Sequence, residues 1–181
     1  DWSGVIDDCT TETHLTVLKV FEAYGAEKIS LEEFRREWEQ PYMLFYNKYL
    51  PEITIEQQRV IYIKNIQKFK RRAYPGMVEL IKEAKKHQFK MFILSGDPIE
   101  KIEKDIENFK LKSNFLKIYD DVHDKIPVLK KLLKENKLEP KKTIFIGDTT
   151  HEVEAGKIAG IKTACVTWGF QTREKLITAK P

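Results

Sequence analysis

The chain has 181 residues, of which 41% are apolar and 11% aromatic, and this indicates an ordinary globular protein with one good core and room for a small second module. The formal net charge of +4 suits an anionic ligand but is too weak and dispersed to indicate a nucleic-acid-binding protein. No window approaches the roughly 18 uninterrupted apolar residues of a membrane span, so we expect a cytoplasmic protein with no membrane partner.

The two cysteines, Cys9 and Cys165, lie far apart in the chain. Neither belongs to a C-x-x-C pair or has a histidine at ligand spacing, so neither a disulfide framework nor a zinc site is indicated. We predict that both are small buried side chains.

The stretch 13–73 has the pattern of helices. Val17, Phe21 and Tyr24 share one face of a first helix, and this face stops at Gly25. Glycine is favoured just past a helix end, so the first helix is predicted to end there.

Two capping-box motifs predict further helix starts in the same stretch. SLEE begins at Ser30 and leads into a helix that Pro41 ends or bends, and TIEQ begins at Thr54. The helix after Thr54 is predicted to be long, with one apolar face formed by Val60, Ile63, Ile66 and Phe69.

After Tyr74-Pro75-Gly76, short apolar runs alternate with amphipathic helices. The runs KMFILSGD, IYDDV, TIFIGD and TACVTWG are predicted to be buried strands, and the helix after the first carries the face Ile99, Ile102, Ile106 and Phe109. This alternation predicts a parallel sheet with helices on both faces and a ligand at the carboxyl ends of the strands.

Polar residues stand where three of these strands end: Ser95, Lys125 and Asp148. Together with Asp1, which opens the chain in DWSGVIDD, they supply carboxylates, a cation and a hydroxyl. Phosphoryl transfer needs charge neutralisation and an in-line nucleophile, and these groups suffice for it.

At these positions the sequence resembles the haloacid dehalogenase superfamily of phosphohydrolases. DWSGVI resembles its first motif, D-x-D-G-[TV]-[LI]; FILS resembles the second, Lys125 in DKIPVL the third, and GDTTHE the fourth, G-D-x-x-x-D. The order and spacing of the four motifs carry the resemblance. It implies an α/β fold: a Rossmann-like, doubly wound parallel sheet formed by 1–12 and 74–181, with 13–73 as an inserted, mobile helical cap.

The resemblance implies a catalytic and metal-binding set. Asp1 is the expected nucleophile, which would form an aspartyl-phosphate that water then hydrolyses. Mg²⁺ prefers oxygen ligands, so Asp1, the backbone carbonyl of Ser3 and Asp148 make a plausible shell, with Glu152 acting one shell further out.

A phosphate-binding set is expected beside it. Ser95 and backbone N–H groups near Gly4 and Gly96 would hold phosphate oxygens. Lys125 would balance the charge of both the phosphate and Asp1.

Ser3 departs from the first motif, because the family has there a second acid that protonates the leaving oxygen. A positioned acid or base is worth about 10²- to 10⁴-fold in rate, and serine does not titrate usefully at neutral pH. Three interpretations follow: a phosphatase whose substrate has a good leaving group, an enzyme that borrows Asp97, Asp7 or Asp8, or a protein that has lost turnover.

We therefore predict a Mg²⁺-dependent hydrolase of a small phosphorylated metabolite, monomeric or homodimeric. The alternative is a catalytically weakened relative that binds a phosphorylated ligand without efficient turnover. Receiver domains also carry a phosphorylatable Asp, a Ser or Thr and a Lys at strand ends, but the long helical insertion and the G-D-x-x-x-E strand end argue against them.

Two remaining features have simpler interpretations. His151 beside the fourth motif is predicted to lie on a helix surface, and the run of Lys64, Lys68, Lys70, Arg71 and Arg72 is predicted to be a solvated helix face rather than a rim that steers substrate.

The family resemblance also implies an apolar strand leading into Asp1 and another strand after residue 181, so we expect flanking residues in the natural chain.

Overall fold

The computed structural model describes every residue from 1 to 181. In chain order, the elements are α1 (Thr10–Tyr24), α2 (Leu31–Glu37), α3 (Met43–Tyr49), α4 (Ile55–Ile66), α5 (Met77–Lys86), β1 (Phe92–Leu94), α6 (Ile99–Asn108), β2 (Lys117–Tyr119), α7 (Lys125–Glu135), β3 (Ile144–Gly147), α8 (Thr150–Ala159), β4 (Lys162–Cys165) and α9 (Arg173–Thr178). The predicted helical stretch contains α1 to α4 and none of the four strands. Helix α1 begins at Thr10, three residues before the predicted start of the cap.

The capping signals define three helix ends as predicted. Gly25 follows α1 in the left-handed region with φ of +78°. The Ser30 hydroxyl accepts a hydrogen bond from the N–H of Glu33 at 3.1 Å. Thr54 and Gln57 form a complete capping box, with bonds of 2.9 and 3.2 Å. These ends are predictable because each depends on residues only three or four positions apart.

Two helices are shorter than predicted. Helix α2 ends at Glu37, before Pro41, and α4 ends at Ile66, before Phe69. The predicted apolar face of α4 is not buried along its length, because Val60 and Ile63 are 70% and 45% exposed. Helix α4 packs on α1 along one side, and Ile63 lines the cavity described below.

The strands form two parallel pairs. β1 pairs with β2, with Phe92 opposite Lys117, and β3 pairs with β4, with Ile144 opposite Lys162. The N-terminal residues lie at the junction of the pairs. The main-chain nitrogen of Asp1 donates to the carbonyl of Ile146 at 2.8 Å, and Trp2 belongs to the apolar cluster that contains Ile93 of β1.

Helices cover both faces of the strands, as the doubly wound α/β prediction requires. Ile93 packs in a cluster with side chains of α5 and α6, whereas its neighbour Leu94 packs with side chains of α7 and α8. Successive strand residues point to opposite faces, so one strand contributes to both clusters. The prediction of a continuously buried strand is wrong for β3, where Ile144 and Ile146 are half exposed and Phe145 packs toward α7 and α8.

A third apolar cluster lies among the cap helices. It joins α1, α2 and α3 through aromatic rings, and Cys9 and Phe170 enter it from outside the predicted cap range. The predicted burial of the cysteines is confirmed for Cys9 and wrong for Cys165, which is partly exposed. No helix has both the length and the apolar character that crossing a membrane requires.

Candidate active site

The predicted site residues meet at the carboxyl ends of the strands. Ser95 follows β1, Lys125 is the first residue of α7, and Asp148 follows β3. Asp1 lies against β3 through its main-chain bond to Ile146. Parallel strands bring residues from distant parts of the chain together at one edge, where a ligand can meet them.

A cavity of about 1470 Å³ opens over this edge. Its floor includes Asp1, Ser3, Ser95, Gly96 and Lys125. On the cap side it is lined by residues of α1, α3 and α4, among them Thr13, Tyr46, Gln58, Arg59 and Tyr62. A ligand in this cavity would therefore touch both the strand ends and the cap.

Lys125 links two of the predicted acids. Its ammonium lies 2.6 Å from Asp1 Oδ2 and 2.5 Å from Glu152 Oε1. The side chains of Lys125 and Glu152 are 3% and 1% exposed. A buried cation between two carboxylates fixes their positions, because each ion would be costly to bury unpaired.

Asp148 has one satisfied and one unsatisfied oxygen. Oδ2 accepts a hydrogen bond from the N–H of Phe170 at 2.6 Å, whereas Oδ1 is buried and has no hydrogen-bond partner. Burial, followed by the nearby Glu152 carboxylate, raises the pKa of Asp148 to about 7. A carboxylate oxygen in this situation lacks a positive partner.

Glu152 uses both of its oxygens within the protein. Oε2 accepts the N–H of Thr149 at 2.8 Å and the Thr149 hydroxyl at 2.5 Å, which completes a capping box at the start of α8. Burial raises the pKa of Glu152, but the Lys125 ammonium and the hydrogen bonds outweigh burial and the net pKa is lowered. With both oxygens occupied, Glu152 is suited to hold Lys125 and Thr149 in place rather than to bind a cation directly.

The acids fit a divalent cation with oxygen ligands. One carboxylate oxygen from each of Asp1, Asp148 and Glu152 lies within 4.8 Å of the other two. The unpartnered Oδ1 of Asp148 is the atom that most needs a cation. Hard oxygen donors with few protein ligands are the set that Mg²⁺ takes in proteins.

Gly4 has a different role from the predicted one. Its N–H donates to the carbonyl of Asp7 at 3.0 Å, and Gly4 does not line the cavity, so this N–H is not available to a phosphate. Its φ is +79°, and an added Cβ would lie 2.1 Å from Asp148 Oδ2. Glycine is required here for a left-handed turn and for close approach to Asp148.

Ser95 and Gly96 are two further residues of the predicted phosphate site. Both line the cavity, and the N–H of Gly96 makes no hydrogen bond within the protein. The Ser95 hydroxyl contacts Asp97, accepting its N–H at 3.2 Å and lying 3.2 Å from its Oδ2. A free N–H beside a hydroxyl and the Lys125 ammonium can hold an anionic oxygen.

Ser3 belongs to a charged network that the sequence does not reveal. Its hydroxyl donates to Asp97 Oδ2, and the Lys101 ammonium lies 3.2 Å from Ser3 Oγ. Lys101 also lies within 3.2 Å of carboxylate oxygens of Asp7, Asp97 and Asp105. Asp97 is thus the acid, among those considered above as substitutes, that contacts Ser3 directly.

The other two acids considered above are placed differently. Asp7 is fully buried beneath Lys101, and one of its oxygens has no hydrogen-bond partner. Asp8 forms an ion pair of 2.8 Å with Arg72 and does not line the cavity. Neither can reach a bound substrate as readily as Asp97, which lines the cavity.

His151 is a site residue that sequence reasoning missed. The prediction of a helix-surface histidine is wrong, because His151 is only 6% exposed and its Nε2 accepts the main-chain N–H of Lys125 at 3.2 Å. Burial lowers the pKa of His151, which keeps the ring neutral and Nε2 able to accept. His151 therefore positions the residue that pairs with Asp1. The sequence signal that could have indicated this role is the position of His151 only three residues after Asp148.

The basic run lies partly at the cavity. Lys70, Arg71 and Arg72 line it, whereas Lys64 and Lys68 do not. The prediction of a solvated helix face is wrong for Arg71, whose side chain is 11% exposed and whose Nη1 lies 3.7 Å from an oxygen of Asp7. Helix α4 ends at Ile66, so the last four residues of the run lie outside any helix.

Sequence relatives of this chain include two phosphoglycolate phosphatases and a pyrophosphatase. The chain is 28% identical over 110 residues to the phosphoglycolate phosphatase of Synechococcus elongatus, covering 60% of this chain and 52% of that protein. It is 30% identical over 149 residues to the phosphoglycolate phosphatase of Aquifex aeolicus, covering 80% and 62%. It is 31% identical over 113 residues to the pyrophosphatase PpaX of Bacillus anthracis, covering 60% and 52%. The chain spans about half the length of most curated relatives it matches.

Solved structures share the fold over nearly the whole chain. A haloacid dehalogenase-like family hydrolase from Streptococcus pneumoniae gives a TM-score of 0.80 at 19% identity, covering 100% of this chain and 89% of that one. A predicted phosphatase from Clostridium acetobutylicum gives 0.81 at 19% identity, covering 99% and 88%.

The sequence also matches a family model directly. The model of haloacid dehalogenase-like hydrolases matches residues 1–166, which include all four motifs and the helical insertion. This match sets the receiver-domain alternative aside. The chain belongs to the family of haloacid dehalogenase-like hydrolases.

Proposed function

We propose that this protein is a Mg²⁺-dependent phosphatase that acts on a small phosphorylated metabolite. The observation that carries the proposal is the convergence of Asp1, Lys125 and the unpartnered oxygen of Asp148 below a cavity lined by Ser95 and Gly96. The names of the sequence relatives, phosphoglycolate phosphatase and pyrophosphatase, support a small phosphorylated substrate.

Asp1 is the proposed nucleophile. Its Oδ1 accepts the N–H of Trp2 at 2.7 Å and its Oδ2 accepts the Lys125 ammonium, so the carboxylate is held in one orientation. An oxygen of Asp1 bonds to phosphorus as the bond from phosphorus to the substrate oxygen breaks, and the departing oxygen takes up a proton from solvent water. Water then attacks phosphorus, which releases inorganic phosphate and restores Asp1.

Mg²⁺ is the proposed cofactor. Asp1, Asp148 and the main-chain carbonyl of Ser3 would hold it, and the ion supplies positive charge against these carboxylates and the phosphate. Glu152 contributes by holding Lys125 and Thr149 in place. Lys125, Ser95 and the N–H of Gly96 bind the phosphate oxygens.

Ser3 favours a second candidate function, binding of a phosphorylated ligand without efficient turnover. Its hydroxyl is already donated to Asp97 and holds no acidic proton for a leaving group. Burial raises the pKa of Asp97, but Lys101 and the Ser3 hydroxyl outweigh burial and the net pKa is lowered. Asp97 is therefore ionised at neutral pH, and it can accept a proton from water more readily than it can donate one.

Phosphate release from a panel of phosphorylated metabolites, measured with Mg²⁺ and with chelator, tests the proposal. We expect catalytic release with Mg²⁺ for at least one substrate and loss of that release in Asp1→Asn. Release of at most one phosphate per chain on every substrate would favour the binding protein. Full activity in chelator would contradict the metal-dependent mechanism.

A further inference from the structure

The segment of residues 167–171, which we name the clamp loop, connects the cap to Asp148. The N–H of Phe170 donates to Asp148 Oδ2 at 2.6 Å, and Asp148 Oδ1 is left buried without a partner. The clamp loop therefore decides which oxygen of Asp148 is committed to the protein and which is free for a cation.

Arg35 of helix α2 holds the clamp loop from the cap side. Its guanidinium donates to the carbonyls of Thr167 at 2.8 Å, Gly169 at 2.9 Å and Gln171 at 3.1 Å. Arg35 uses Nε and Nη2 for these bonds and forms no ion pair with a carboxylate. The donors of a planar guanidinium point in fixed directions, whereas the three donors of an ammonium rotate on a flexible stem.

A fully buried glutamine makes the second connection. Gln171 Nε2 donates to the carbonyl of Trp38 at 2.7 Å, just after α2. Its Oε1 accepts the N–H of Thr150 at 2.7 Å, in the first turn of the helix that carries Glu152. One side chain thus ties the end of α2 to the start of α8.

Aromatic packing ties the same loop into the cap. The ring of Phe170 stacks on Trp38, with centroids 5.3 Å apart, and meets the edge of Phe34 at 6.1 Å. The Phe170 N–H and the Phe170 ring therefore face different parts of the molecule, the metal ligand and the cap interior. A shift of α2 would move both.

The space beneath the clamp loop is too small to absorb such a shift. A Cβ added at Gly169 would lie 2.2 Å from Asp148 Oδ2 and 2.6 Å from the carbonyl of Gly4. Because close-packed interiors transmit displacement rather than absorb it, movement of the loop changes the bond from Phe170 to Asp148.

We infer that Arg35 is a positioning residue for the proposed metal site, acting through the clamp loop on Asp148. The base of the cap is accordingly a fixed part of the site. This inference rests on the proposed function, because it needs the cation that Asp148 would bind. Groups that orient a metal ligand typically change metal affinity by about 10- to 100-fold when removed.

Direct binding of Mn²⁺, followed by the loss of the free-ion electron paramagnetic resonance signal, tests the inference without substrate. We expect Arg35→Met to weaken Mn²⁺ binding about tenfold or more. Arg35→Lys should fall between this variant and the wild type, because it keeps the charge but not the three-way geometry. Arg36→Met is the matched control on the next residue of the same helix, where Arg36 only contacts Glu37 at 3.4 Å, and it should bind as the wild type does.

A stability control separates positioning from general damage to the cap. Phe21 shares the buried cap cluster with Phe170, but its ring pairs with those of Phe45, Tyr46 and Tyr49 and not with that of Phe170, so Phe21→Leu should lower Tm without changing Mn²⁺ affinity. If folded Arg35→Met binds Mn²⁺ with wild-type affinity, this inference is overturned and the metal site is not. If Arg35→Met does not fold, wild-type Mn²⁺ affinity in Arg35→Lys has the same meaning. A wild-type protein that binds no Mn²⁺ would overturn the metal site and this inference together.

Discussion

The hydroxyl of Ser3 donates a hydrogen bond to the carboxylate of Asp97, 94 residues later in the chain. Lys101 lies against both side chains, 3.2 Å from Ser3 Oγ and 3.1 Å from Asp97 Oδ2. The position that carries a second acid in the family motif is therefore filled here by a hydroxyl, with an acid supplied from the loop after β1. This arrangement makes the chemistry of residue 3 testable.

Ser3→Asp should raise the hydrolysis of an alkyl phosphate by about tenfold or more, and that of p-nitrophenyl phosphate much less. The new carboxylate would face Asp97, and two carboxylates in one site raise the pKa of one of them, which retains a proton for a leaving group. Kinetics of both substrates in both proteins would show the effect, with circular dichroism to verify folding. An equal change on both substrates would mean that residue 3 acts through packing or metal geometry.

Asp1→Asn should lower kcat by about 10³-fold or more with the fold intact. The change removes the proposed nucleophile and a metal ligand, while Lys125 keeps its ion pair with Glu152. Steady-state kinetics with the best substrate of the panel measures the loss. Asp8→Asn is the control, because Asp8 pairs with Arg72 and does not itself line the cavity, and it should retain activity. Unchanged turnover in Asp1→Asn would exclude this mechanism.

Asp148→Asn should stabilise the metal-free protein by about 1 kcal/mol or more, because it removes a buried charge that has an unpartnered oxygen. The same change should abolish the rise in Tm that we expect Mg²⁺ to give the wild type. Thermal unfolding with Mg²⁺ and with EDTA measures both effects. A lower Tm in EDTA than the wild type would indicate that the carboxylate is satisfied in the metal-free protein.

His151→Ala should lower the free energy of unfolding by about 1–3 kcal/mol, because it leaves the buried N–H of Lys125 without an acceptor. Turnover should also fall, since Lys125 then loses one of the contacts that place it beside Asp1. Urea denaturation and kinetics give the two readouts. His87→Ala removes a histidine whose side chain is 69% exposed and should change neither. Wild-type stability in His151→Ala would show that the N–H finds another partner.

Sequence reasoning succeeded where the signal was local or repeated. Gly25 and Thr54 define helix ends through bonds to residues a few positions away. The apolar face of α6 is confirmed, with Ile102 fully buried. Sequence reasoning failed at α4. Whether Val60 is buried depends on what packs against that side of the helix, and a periodic pattern does not reveal the neighbouring element.

The fold class and the identity of the acids at the strand ends follow from the sequence, because strand patterns and the residues of each motif are properties of short segments. How those acids are held follows from the packing of the folded chain. The Ser3 bond to Asp97, the burial of His151 and the bonds from Arg35 to the clamp loop each join residues far apart in the chain. Their geometry arises when separately formed elements pack, and packing depends on the shape of both surfaces at once.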